Sequence, residues 1–174
     1  MITHWGFFCM KIKKLYTGIY LIEKKFDKNK IYYYLKTPNI SIIIAEIKNK
    51  FLVVSQKRIP INKITYEFPG GIIDKGSTPL KSAKTELFEE TGYKCIGNPK
   101  KLGTIYPDPG RLDCKYFCYY TNNIKKKNKP EKGINLQLLT KSQIISLISK
   151  KKFSHACHIY AFFSYLNKKT KKQR

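Results

Sequence analysis

Three of the eleven acidic residues of this chain, Glu86, Glu89 and Glu90, fall within five positions of one another. On a helix they share an arc of about 100°. Leu80, Ala83 and Leu87 form the adjoining apolar stripe, so such a helix docks on a core while presenting three carboxylates together. Like charges at this spacing destabilise the helix that carries them. A hard divalent cation, Mg²⁺ or Mn²⁺, is the natural compensation for clustered carboxylate oxygens. The competing explanation is a solvated acidic face paired with lysines.

The surroundings of the cluster favour the first reading. Gly71 opens a segment that runs through Asp74, Gly76 and Ser77, then seven residues to Lys84, then Thr85-Glu86-Leu87-Phe88-Glu89-Glu90-Thr91-Gly92-Tyr93. This resembles the signature box of the Nudix hydrolases, G-x5-E-x7-R-E-U-x-E-E-x-G-U with U bulky and apolar. The spacing agrees without a gap over 23 residues, and Gly71, Glu86, Leu87, Glu89, Glu90, Gly92 and Tyr93 match. Two positions depart: Ser77 stands for the first Glu and Thr85 for the Arg. The two lost groups have opposite charge, so their joint loss leaves no orphan.

Weaker matches follow in the right order for the ADP-ribose pyrophosphatase branch. Gln56-Lys57-Arg58 resembles its Q-x-R segment and Ile73-Asp74-Lys75-Gly76 its I-D-x-G loop. The stretch from Tyr106 to Leu112, containing Arg111, resembles a substrate-side loop; Pro130-Glu131-Lys132-Gly133-Ile134 resembles the acidic approach to the last strand.

The resemblance implies a metal-dependent hydrolase that cuts the pyrophosphate of ADP-ribose or a related nucleoside diphosphate sugar, giving a nucleoside monophosphate and a sugar phosphate. It implies Glu86, Glu89 and Glu90 as catalytic metal ligands, completed by the Gly70 carbonyl, and Glu131 as the distant acid that positions water. Arg58, Glu67 and Arg111 become substrate contacts, the two arginines through a guanidinium fork that matches phosphate oxygens. A surface ion pair is the plainer role for each arginine. The alternatives are a Nudix-fold nucleotide-binding module with weak or no catalysis, and a hydrolase acting on capped RNA.

These groups need a scaffold. Thr78 suits a helix N-cap, Pro79 the first helical position and Gly92 the stop, so the helix runs over 79–91. β-branched and aromatic runs predict two strands within 13–36 around Asp27-Lys28-Asn29-Lys30, and a second pair, 40–47 and 51–55, around Lys48-Asn49-Lys50. Further strands are expected at 65–68, 94–106, 114–121 and 133–139, and helices at 141–149 and 153–166. The polar, Lys-rich stretch 122–132 reads as a mobile loop. The order implies an α/β fold with a mixed sheet; the resemblance implies, more narrowly, a Nudix-like α/β/α sandwich with a small N-terminal β segment. Residues 1–38 form that segment, 39–167 the hydrolase domain and 168–174 a basic tail. By resemblance the first strands make a homodimer contact. Met10 reads as an alternative start.

The formal charge is +24. Only Arg58, Arg111 and Arg174 among the 35 basic residues are Arg, and the lysines are spread along the chain. That is compositional drift rather than a reading face, so nucleic acid is an alternative partner and not the favoured one. Five Cys without a C-x-x-C, Cys9, Cys95, Cys114, Cys118 and Cys157, imply reduced thiols in a cytoplasmic protein. A metal site at His155-Ala156-Cys157-His158 is disfavoured against a helix that packs one His inward. No apolar run approaches the roughly 20 residues a membrane helix needs.

Overall fold

The computed structural model describes residues 21–27 and 30–170, with side chains for 33–169. The elements in order are β1 (Leu21–Asp27), β2 (Lys30–Lys36), β3 (Ile40–Ile47), β4 (Lys50–Arg58), β5 (Lys63–Glu67), β6 (Gly70–Ile72), α1 (Pro79–Thr91), β7 (Tyr93–Cys95), β8 (Lys100–Ile105), β9 (Leu112–Asp113), β10 (Tyr116–Thr121), β11 (Ile124–Lys126), β12 (Asn135–Leu139), α2 (Lys141–Ser149) and α3 (Ala156–Thr170). Cys9, the start at Met10 and the first part of the expected N-terminal pair lie outside the described residues, as does the end of the basic tail.

The central sheet runs β12-β4-β3-β10-β8, with β5 on β4 and β6 on β3. β10 is parallel to β3 and the other pairings are antiparallel, so the sheet is mixed. Strand alternation sends successive β3 side chains to opposite faces. Ile42 and Ile44 join a core with Ile144 of α2 and Cys157, Ala161, Phe162 and Tyr165 of α3. Ile43 and Ala45 join a second core with Ala83 and Leu87 of α1. Helices thus cover both faces, the expected sandwich.

Local signals account for several boundaries. Lys48 and Asn49 both take left-handed angles, φ 47° and 61°, which a two-residue hairpin loop requires. The side chain of Thr78 accepts from the Lys81 N–H, and Gly92 closes α1 at φ 70°. β1 and β2 pair antiparallel and extend to β9 in a separate three-stranded sheet.

Two expectations are corrected. The stretch 122–132 is not a free loop: β11 pairs with β7, and the N–H groups of Lys127 and Asn128 both donate to the Gly92 carbonyl, at 2.9 and 3.1 Å. Its polar composition carries no alternation, and the pairing is made with a segment about thirty residues away. The last helix runs Ala156–Thr170 rather than 153–166: Phe153 is buried in the core, its N–H bonded to the Leu147 carbonyl at the end of α2, and Lys168 and Lys169, expected in the basic tail, belong to the helix and bond to Leu102 and Glu46.

Candidate active site

β6 lays its two glycines against α1. The Gly70 N–H donates to Glu90 Oε2 at 3.0 Å. At Gly71 any Cβ would overlap the carboxylate of Glu86, so glycine lets the strand approach this side chain without pushing its carboxylate aside. Glu86 and Glu90, one helical turn apart, are therefore both held at the same short strand. Glu90 is buried and Glu86 half-buried, while Glu89 is exposed.

The electrostatics follow from this crowding. Burial, together with the charges of Glu89, Asp74 and Glu131, pushes the Glu86 carboxyl up to about 7. Burial likewise pushes Glu90 up to about 7, with Glu86 and Glu67 adding to the effect and the Gly70 hydrogen bond and Arg58 opposing it. Either a proton or a cation relieves such crowding of carboxylates.

A cleft of about 420 Å³ opens beside the pair, lined by Ile72, Asp74, Ser77, Thr85, Glu86 and Glu89 among others. The two positions that depart from the box, Ser77 and Thr85, thus face the same space. Asp74 was legible only as part of a loop pattern; the fold sets its charge against Glu86. Glu131, far along the chain, is brought to the end of α1, where its N–H donates to the Glu89 carbonyl at 2.9 Å. Its side chain is exposed.

Arg58 and Glu67 find each other. The Arg58 guanidinium donates through Nε at 2.9 Å and through Nη2 to the two oxygens of Glu67. The Glu67 side chain is only 3% exposed and that of Arg58 41%, so the pair shows a guanidinium edge to solvent over a buried carboxylate. Burial alone would raise Glu67, but the Arg58 bonds, His158 and Thr65 outweigh it and hold the carboxyl at about 2. Behind the pair sits His158, its Nε2 3.9 Å from Glu67 Oε2. Its Nδ1 accepts the Phe68 N–H at 3.0 Å, so protonating that nitrogen would set two hydrogens face to face. Burial, with His155 adding, takes His158 down to about 3. His158 is the inward-packed histidine, and neither it nor Thr65 is marked by any motif. Arg111 lies apart on an exposed turn, held through its backbone to Leu35 and Asp108.

Oxygen donors of this hardness fit Mg²⁺ or Mn²⁺, and Glu86 and Glu90, brought against β6, are the side chains that could hold one. Among the described residues no three His, Cys, Asp or Glu side chains converge on a metal-holding geometry, so the fold assembles a pair rather than a trio. The four described cysteines are free and buried, and among the described residues no helix is long and apolar enough to cross a membrane.

The sequence profile of the NUDIX domain matches residues 35–157. The chain is 30% identical over 118 residues to a methanol dehydrogenase activator of Bacillus methanolicus, covering 65% of this chain and 63% of that protein. It is 32% identical over 74 residues to an ADP-ribose pyrophosphatase of Bacillus subtilis (strain 168), covering 42% of this chain and 40% of the relative. It thus spans less than two thirds of the length of either relative. Among solved structures, an ADP compounds hydrolase superimposes with a TM-score of 0.76 at 15% identity, covering 94% of both chains; at that identity the likeness concerns the fold.

Proposed function

The chain belongs to the NUDIX domain family, and from that premise we propose that it is a divalent-metal-dependent pyrophosphohydrolase acting on ADP-ribose or a related nucleoside diphosphate sugar. Water adds across the P–O–P bridge, giving a nucleoside monophosphate and a sugar phosphate. The observation that carries this reading is the convergence of Glu86 and Glu90 on Gly70 and Gly71 at the edge of an open cleft. When bound there, Mg²⁺ or Mn²⁺ supplies neutralisation of the pyrophosphate and a more acidic attacking water.

The residues have distinct parts. Glu86 and Glu90 hold the cation, with the Gly70 carbonyl, and Glu89 stands at the cleft wall as a further ligand or orienter. Glu131 positions the attacking water. Arg58, fixed by Glu67, offers its solvent edge to phosphate oxygens, and Arg111 adds a second guanidinium from its turn. Glu67 acts by aiming Arg58. We read the N-terminal hairpin as a homodimer contact, because β1 is an edge strand among the described residues and an exposed edge invites pairing. A cytoplasmic setting agrees with four reduced, buried thiols.

The absence of the box Arg and first Glu, at Thr85 and Ser77, favours a second reading: a binding module that retains the nucleotide pocket and not the chemistry. A screen of ADP-ribose, other nucleoside diphosphate sugars and capped RNA, with Mg²⁺ and with Mn²⁺, separates them. Metal-dependent release of AMP and ribose 5-phosphate from ADP-ribose supports the hydrolase. Saturable binding without products supports the module, and turnover of capped RNA alone reassigns the substrate.

A further inference from the structure

A second cavity, of about 320 Å³, lies between the start of β8, the end of β10 and the end of α3. It sits at the opposite end of β3 from the acidic cleft: β6 pairs with Ile40 and Ile42, whereas Tyr120 of this cavity pairs with Ile44. It also sits on the opposite sheet face, since Tyr120 and Tyr165 belong to the core beneath α3 while α1 covers the other side.

Half of its lining residues are lysines: Lys100, Lys101, Lys168 and Lys169 among eight. Lysines make up 32 of the 174 residues overall (35 basic residues less three Arg), so the cavity is enriched beyond the drift of the chain. Strand alternation separates their roles. Leu102 faces α3, so Lys100 does too, while the Lys101 ammonium lies over the Phe117 ring on the other side. Lys168 Nζ donates to the carbonyls of Lys101 and Leu102 at 3.2 and 2.7 Å, which fixes the ammonium at the rim.

Behind the lining, bonded to three of its side chains, lies a buried carboxylate that the acidic cleft does not use. Glu46 is 6% exposed and accepts from the hydroxyls of Tyr120 at 2.8 Å and Tyr165 at 2.6 Å, and from Lys169 Nζ at 3.2 Å. The two phenol rings lie against each other, centroids 4.6 Å apart. Glu46 thereby fixes Lys169 and the tyrosine wall without spending the charges of Lys100 and Lys168. Three ammoniums and one carboxylate leave a net positive, concave pocket with two tyrosines in its wall. Its volume lies at the lower end of the range for small-ligand sites, and lysine is a point-charge phosphate binder.

We propose that this pocket is a second binding site, for the phosphate groups of a nucleotide-sized ligand, with Lys100, Lys168 and Lys169 as its donors and Tyr120 and Tyr165 as its wall. Titration calorimetry on the full chain with inorganic pyrophosphate and with ADP, in EDTA to silence the metal-requiring cleft, tests it. One saturable site is expected. Lys100→Ala/Lys168→Ala should weaken it at least about tenfold, the loss of two charge-assisted contacts. Lys94→Ala/Lys125→Ala removes the same charge from an exposed lysine pair on β7 and β11 and should leave affinity within about twofold, as for unrelated surface charge at moderate salt. Lys100→Ala alone removes no bond that holds the fold, and should by itself weaken binding. Metal-dependent hydrolysis should be unchanged in all three variants. Equal weakening by both double variants would mean diffuse attraction to a basic protein and overturns the site. So would the absence of saturable pyrophosphate and ADP binding, or binding confined to a long oligonucleotide, which would make the surface a polymer track.

Discussion

Gly71 and Glu86 occupy one another's space: the carboxylate lies where a β-carbon at position 71 would be. Gly71→Ala must therefore displace the carboxylate or the strand. Misplacing a catalytic group by about 1 Å costs on the order of 100-fold, whereas overpacking costs about 1–3 kcal/mol of stability. The expected variant is folded with kcat/KM reduced by roughly two orders of magnitude. Unchanged kcat/KM alongside an ordinary melting curve would show that hydrolysis does not depend on this approach.

Glu90→Gln keeps an oxygen for the Gly70 N–H and removes a charge from a crowded, buried position. Turnover should be lost. The metal-free protein should gain stability, about 0.2–0.5 kcal/mol from the relieved like-charge pair alone. Thermal melts in EDTA and a product assay with saturating Mg²⁺ check the two halves, and retained turnover would remove Glu90 from the metal site.

Glu67 carries the clearest pH signature. Its carboxyl is held at about 2 from an ordinary 4.5, so it binds fewer protons folded than unfolded. The stability it lends is fully present above about pH 4.5 and is lost as pH falls toward 2. Arg58→Met strands the buried carboxylate and should destabilise at neutral pH by about 3 kcal/mol or more. It should also flatten the acid limb between pH 4.5 and 2. Glu67→Gln/Arg58→Met should recover part of the loss, because no charge remains buried. Acid unfolding curves for the two variants against the parent decide it; parallel curves would mean the pair contributes nothing.

Ser77 and Thr85 line one cleft, so charges restored there should communicate. Arg at 85 alone adds a cation beside Glu86 and Glu89 that competes with the metal. Glu at 77 alone adds another carboxylate to a group that already resists ionisation. Together they satisfy each other. A double-mutant cycle in kcat/KM should show coupling of about 0.5–3 kcal/mol, with Ser77→Glu/Thr85→Arg at least as active as the parent. Strict additivity would show that the paired departures are independent.

Position along the chain was enough to read α1 to the residue. Its N-cap at Thr78, Pro79 at the first turn and Gly92 at the stop are local signals, and the i, i+3, i+4 spacing of Glu86, Glu89 and Glu90 follows from helix geometry. The same holds for α2 at Lys141–Ser149, whereas the turn expected at Lys48-Asn49-Lys50 is one residue shorter, because Lys50 already pairs with Ile47. The mixed α/β class was legible because the order of strands and helices leaves few ways to bury their apolar faces; the sandwich arrangement followed from the resemblance of residues 71–93 to the box.

What sequence order could not supply are contacts between distant segments. Three carboxylates on one helix look equivalent, yet packing against β6 buries Glu90, half-buries Glu86 and leaves Glu89 in solvent. Arg58 and Glu67 were separate substrate contacts until the β4–β5 hairpin set them face to face, with His158 closing the far side from 90 residues beyond Phe68. β11 has no alternation of its own and becomes a strand only because β7 is there to pair with it. Glu46 gathers Tyr120, Tyr165 and Lys169 across 74 to 123 positions. Hydrogen bonds and ion pairs depend on distance in space, and only the folded chain sets that distance for residues so far apart along it.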